Sequence, residues 1–126
     1  MQNHITASVH IVADLWGCDK NLLNERDALV RLIFDAAERS NSTVLDQTSF
    51  QFSPQGVTAI LLLAESHISI HTWPEEGYAA VDIFSCGVTM QPQVCADIIK
   101  TGLGAKHAEV SSMRRGIPSK SPEITT

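Results

Sequence analysis

Between residues 57 and 86 the chain offers three strand-length runs in close succession, VTAILLL, SHISIHTW and YAAVDIFSC, the last two joined by Pro74-Glu75-Glu76-Gly77. Runs of seven to nine residues, rich in β-branched and aromatic side chains and punctuated by a Pro/Gly turn, predict strands and a hairpin. Strands this close together leave no length for a crossover helix, so they must pair antiparallel. The spacing therefore predicts strands over 57–63, 66–73 and 78–86, with the turn at 74–77.

The flanking sequence supplies the layer that covers this sheet. Ile5, Val9, Ile11, Ala13 and Leu15 alternate loosely, predicting a first strand that ends at Trp16-Gly17. Leu29, Leu32, Ile33 and Ala36 follow the 3.6-residue period of a helix that Asn21 or Asn24 could cap and that should stop near Ser40-Asn41-Ser42. Residues 43–52 are β-rich and run into a turn at Pro54-Gln55-Gly56. Pro92 suits the first turn of a second helix, with Val94, Cys95, Ile98 and Ile99 inward and Gly102 or Gly104 at its end. A last strand is expected over 106–113, and the polar, proline-bearing stretch 116–126 is expected to be a flexible tail. The order β-α-β-β-β-β-α-β predicts one α+β domain over 1–115, a two-layer sandwich with a mainly antiparallel sheet and helices on one face. Its other face would be open, and a second subunit could cover it.

Composition removes several classes of function. In 126 residues, 14 acidic side chains outweigh 9 lysines and arginines, and no basic cluster exceeds Arg114-Arg115, which argues against a nucleic-acid partner. No run of about 18 apolar residues exists, so no membrane span is expected. The start, MQNHITASVHIVADL, lacks a basic segment followed by an apolar one, so no secretion signal is expected. Three cysteines without a CxxC pair read as reduced thiols in a cytoplasm.

Against that background the hairpin strands carry an unusual density of reactive groups: Glu65, Ser66, His67, His71 and Cys86. Each alone has a bland reading. A serine in a strand is usually structural, a strand histidine is usually hydrogen-bonded or exposed, a cysteine among apolar residues is a small hydrophobe, and Glu75-Glu76 in a turn is solvated. His67, His71 and Cys86 supply three candidate zinc ligands without compact ligand spacing, so no metal is expected.

The combination is more specific than its parts. ESH-x3-HTWPE-x2-YAAVD-x3-C, within FQFSPQGVTAILLLAESHISIHTWPEEGYAAVDIFSCG, together with VHIVADLWGCD near the start, resembles the self-processing S-adenosylmethionine decarboxylases of the prokaryotic type. The resemblance covers most of the chain and stops at Arg115. It implies cleavage between Glu65 and Ser66. The Ser66 hydroxyl attacks the Glu65 carbonyl, the amide becomes an ester, a base removes the Ser66 α-proton, and β-elimination splits the chain. Hydrolysis then leaves a pyruvoyl group at residue 66.

By the same resemblance His71 is the base, and imidazole can take a proton near neutral pH. A pyruvoyl ketone forms a Schiff base with a substrate amine and accepts electrons as CO₂ leaves, replacing pyridoxal phosphate. Cys86 matches the donor that protonates the product carbon, and a thiol is mostly protonated at neutral pH. Phe52 matches an aromatic that stacks on adenine and faces the sulfonium. Glu75 matches the carboxylate that binds the ribose hydroxyls, and Thr58 a hydroxyl residue that supports processing. Trp73 and Ile68 read equally as pocket lining or core. The implied substrate is S-adenosylmethionine, decarboxylated to the aminopropyl donor for spermidine synthesis. The alternative is decarboxylation of arginine or ornithine on the same scaffold.

Spacing sets a geometric problem. Ser66 and His71 are five residues apart, roughly 16 Å in an extended strand at about 3.3 Å per residue, and odd spacing places them on opposite faces. If Trp73 faces Tyr78, residue 66 faces 85, and a single bulge would bring Cys86 level with Ser66. A two-fold dimer resolves the separation, with Ser66 and Cys86 from one chain and Phe52, Thr58, His71 and Glu75 from its partner. A kink at Ser66 is the competing explanation.

Overall fold

The computed structural model describes residues 7–64, 66–86 and 89–116. Glu65 and the stretch beyond 116 lie outside the described residues, so neither the cleavage junction nor the expected tail is addressed by it.

The chain runs β1 (Ser8–Trp16), α1 (Arg26–Arg39), β2 (Val44–Gln51), β3 (Val57–Leu63), β4 (Ser66–Trp73), β5 (Tyr78–Cys86), α2 (Pro92–Gly102) and β6 (His107–Arg115). This is the expected order. The strands form one sheet, ordered β2-β3-β4-β5-β1-β6, with every neighbouring pair antiparallel. The 57–86 meander occupies the middle, and β1 slots between β5 and β6.

Both helices pack on one face, where alternate strand residues Ile11, Leu15, Leu61, Leu63, Ile68, Ile70 and Ile83 meet Leu29, Ile33, Ile99 and Leu103. The second helix faces the core with Cys95, Ile98 and Ile99 as expected, and only Val94 departs from the expected inward set. Cys95, Ala96 and Ile99 are buried, whereas Val94 is exposed.

The start of α1 also departs from the asparagine-cap reading. A short 3-10 turn, Leu22–Asn24, precedes the helix, and Glu25 takes the N-cap position. Asp19 closes that turn by accepting from the Asn21 and Leu22 amides. Asn24 serves a long-range purpose instead. Its Oδ1 accepts from the Gly56 amide and the Gln51 side chain, both at 2.9 Å, tying the α1 entry to the β2–β3 turn. Thr72 makes a second tie, donating to the Leu23 carbonyl at 2.7 Å and accepting from the Val57 amide at 2.9 Å. Among the described residues no helix is long and apolar enough to cross a membrane.

Candidate active site

The sheet face away from the helices is lined in rows, because residues paired across antiparallel strands point to the same side. One row holds Phe50, Thr58, His71, Ala80, Asp14 and Glu109, linked pairwise by register. Thr58 Oγ1 and His71 Nδ1 are 2.9 Å apart and hydrogen-bonded, so the ring is anchored at Nδ1. Phe52 follows β2 at the same end, exposed and edge-to-face with Phe50 at 4.9 Å. Glu75 lies exposed in the 3-10 turn Pro74–Glu76, four residues beyond His71. Gly77 closes that turn at φ 64°, a left-handed conformation that glycine adopts without steric cost.

Ser66 and Cys86 occupy the opposite end. Cys86 is half-buried on the open face, paired with Ser8. Ser66 is the first residue of β4, paired with Leu63, and its side chain joins the helix-facing set with Ile68 and Ile70. Its hydroxyl lies 3.4 Å from the Ala64 carbonyl oxygen and 3.9 Å from the Met90 sulfur. The structure thus gathers Phe52, Thr58, His71 and Glu75 at one end and sets Ser66 and Cys86 at the other.

The expected devices for closing the gap are not used within the described strands. The β4–β5 ladder runs from Trp73–Tyr78 to His67–Phe84 without a register shift, so no bulge lies within that span, which ends one residue before Ser66. The β3–β4 ladder is equally regular from Ser66 to His71, which leaves no kink between them. Unbroken pairing with β3 from Ser66 to His71 enforces strict alternation, and alternation keeps Ser66 and His71 on opposite faces. Ile68 is fully buried on the helix side, and Trp73 is on the open face, stacked on Tyr78 at 5.1 Å.

Several open-face contacts had no sequence signal. His67 stacks on Phe84 at 5.6 Å, His10 meets that ring edge-on at 5.6 Å, and the Arg115 guanidinium lies over it at 5.4 Å. Arg115 also donates to His10 Nδ1 at 3.3 Å. These residues come from β1, β4, β5 and β6, so only the strand order reveals that they touch. Tyr78, sandwiched between Trp16 and Trp73, donates to Asp14 at 2.6 Å. That hydrogen bond, helped by burial and the Asp14 and Asp82 charges, pushes its phenol up to about 12. Burial raises Cys18 and drives Cys95 to about 11, so both remain packed thiols in the core, and Cys86 is the cysteine presented on the open face.

A six-stranded antiparallel sheet backed by two helices, with serine, histidine and cysteine on its central strands, matches the family described as S-adenosylmethionine decarboxylase over residues 9–116. The chain belongs to this family of decarboxylating enzymes. It is 41% identical over 108 residues to the S-adenosylmethionine decarboxylase proenzyme of Caldicellulosiruptor saccharolyticus, covering 86% of this chain and 87% of that one. The proenzyme of the same name from Prochlorococcus marinus is 44% identical over 110 residues, covering 87% and 88%. The crystal structure of the adenosylmethionine decarboxylase from Aquifex aeolicus superposes with a TM-score of 0.83 at 36% identity, covering 93% of this chain and 97% of that one.

Proposed function

We propose that the chain is a precursor that cleaves itself between Glu65 and Ser66, acquires a pyruvoyl group at residue 66, and decarboxylates S-adenosylmethionine to the aminopropyl donor for spermidine synthesis. Family membership supports the reaction, and the intact set of Ser66, His71 and Cys86 supports the maturation. Ser66 suits the role chemically: its hydroxyl supplies the nucleophile, and loss of that oxygen with the Glu65 acyl group leaves the carbons of a ketone. A pyruvoyl ketone would condense with the substrate amine and accept the electron pair released with CO₂. Only two residues separate Leu63 from Ser66, so cleavage there opens a hairpin tip. The β3–β4, β1–β5 and β1–β6 ladders would keep the two fragments together.

The observation that carries the assembly is the division of the site. His71, anchored by Thr58, would remove the Ser66 α-proton, which requires an approach to about 3 Å. Within one chain the regular ladders hold the two apart. We therefore assign Ser66 and Cys86 to one protomer and Phe52, Thr58, His71 and Glu75 to its partner, with two sites between facing open sheets. Phe52 would stack on the adenine beside the sulfonium, Glu75 would accept the ribose hydroxyls, and Cys86 would return a proton to the product carbon. Three free thiols accord with a cytoplasmic setting.

Co-expression of Ser66→Ala and His71→Ala chains tests the whole reading. Each alone should process poorly, whereas mixed dimers should recover cleavage, confined to the chain carrying His71→Ala and visible by intact mass. Recovered protein should decarboxylate S-adenosylmethionine and leave arginine and ornithine untouched. An active monomer, or activity on arginine or ornithine alone, would overturn the reading.

A further inference from the structure

The open face is electrostatically polarised along the strands. A cation sits toward the Ser66 end: Arg115, in the row of Cys86 and Ser8, leans over Phe84 beside His10. Its charge has no carboxylate partner among the described residues. Anions sit toward the His71 end, where Asp14, Asp82 and Glu109, with Val12, Ala80 and Ser111, line a hollow of about 160 Å³. Asp14 and Glu109 are exposed, and their neighbours within the chain are the Tyr78 hydroxyl and His107.

We propose that this polarity is the docking code of the dimer: Arg115 of each protomer enters the carboxylate-lined hollow of its partner and pairs with Glu109 and Asp14 there. This rests on the two-protomer site above and specifies its register. Face-to-face sheets can be related only by a two-fold axis lying in the plane between them. An axis parallel to the strands keeps every row at its own level, so Ser66 would never meet the partner's His71 level. An axis perpendicular to the strands inverts the rows, and bringing residue 66 over residue 71 places that axis beside Ser69 and Asp82. The row of His10 and Phe84, over which Arg115 lies, then falls midway between the partner rows of Val12 with Asp82 and of Asp14 with Glu109, the two rows that line the hollow. The operation that completes the active site therefore also superposes cation on anion, twice per dimer.

Asp82, close to the axis, approaches its own mate. It is supported within its chain by His10 Nε2 at 3.6 Å and the Ser69 hydroxyl at 3.4 Å. Aligned sheets cross at about 30°, which displaces an edge strand two spacings out by about 5 Å, within the reach of an arginine side chain. Opposite charges that meet only in the correct orientation also disfavour the parallel alternative, where Arg115 keeps its own level and never reaches the partner's carboxylate rows.

The test is a charge swap in the full-length chain, read by sedimentation across a dilution series and by self-cleavage. Arg115→Glu alone and Glu109→Arg alone should each weaken the dimer by about tenfold or more and slow cleavage in proportion, because each creates two like-charge contacts. The double variant should dimerise and cleave at least about threefold better than either single variant, since the contact at 109 is again complementary while Asp14 still opposes the carboxylate placed at 115. Raising salt should dissociate the wild-type dimer and have little effect on an Arg115→Gln, Glu109→Gln double variant. Single variants that dimerise like wild type, a swap no better than either single change, or a salt-indifferent wild-type dimer would each overturn the pairing. A wild-type chain that stays monomeric while cleaving would instead remove the two-protomer site on which it rests.

Discussion

Replacing Thr58 by valine isolates the hydrogen bond that holds His71. The two side chains have nearly the same shape, and Thr58 is half-buried in β3, so the sheet loses only the hydroxyl at 2.9 Å from His71 Nδ1. A neutral hydrogen bond of this kind contributes about 0.5–1.5 kcal/mol net. If that orientation is needed when the proton leaves Ser66, cleavage should slow by about 2- to 13-fold, at about 1.36 kcal/mol per decade. Valine suits a strand well, so the unfolding midpoint should stay in place. Thr58→Ser keeps the hydroxyl and sheds a methyl group, and should cleave within about twofold of wild type or faster. The assay is intact mass against time for precursor made in a short pulse. Cleavage of Thr58→Val at the wild-type rate, or equal slowing by serine and valine, would refute the claim that this bond orients the base.

Cys86→Ala should process normally yet turn over poorly, with the cofactor lost progressively by transamination as the product proton is delivered to the wrong carbon; unchanged turnover and cofactor lifetime would remove Cys86 from the reaction. Tyr78 is the chain's single tyrosine, so phenolate absorbance reports it alone. Its pKa is raised to about 12, so the protonated form is the one the fold favours; the stabilisation is complete below the ordinary phenol value and is lost as pH rises through the folded one. At about pH 10, where an ordinary phenol is half ionised, native protein should show almost no phenolate, and Asp14→Ala should restore it. An ordinary titration in wild type would count against the Tyr78–Asp14 bond.

The local grammar of the chain was readable because it depends on neighbours in sequence. The three runs of 57–86 carry β-branched and apolar residues at strand length, and Pro74 with Gly77 closes the turn between two of them, so their pairing followed without the fold. Five-residue spacing on one strand likewise required Ser66 and His71 to diverge, and the regular ladders keep that parity. Asn24 shows where such reading stops. Its position before a helix indicated a cap, yet its oxygen is claimed by Gly56 and Gln51, groups brought near only by folding.

The insertion of β1 between β5 and β6 is likewise a long-range outcome. No periodicity records which strand edges will meet, since that choice depends on burying one shared core beneath two helices. That insertion assembles His10, Phe84, His67 and Arg115 at one end of the open face and Asp14 with Glu109 at the other. The sequence by itself determined which reactive side chains the strands carry and which face of a strand each one takes, because alternation is a property of the backbone. Only the tertiary structure decided which of them are neighbours, because adjacency across a sheet is set by pairing between segments distant in the chain.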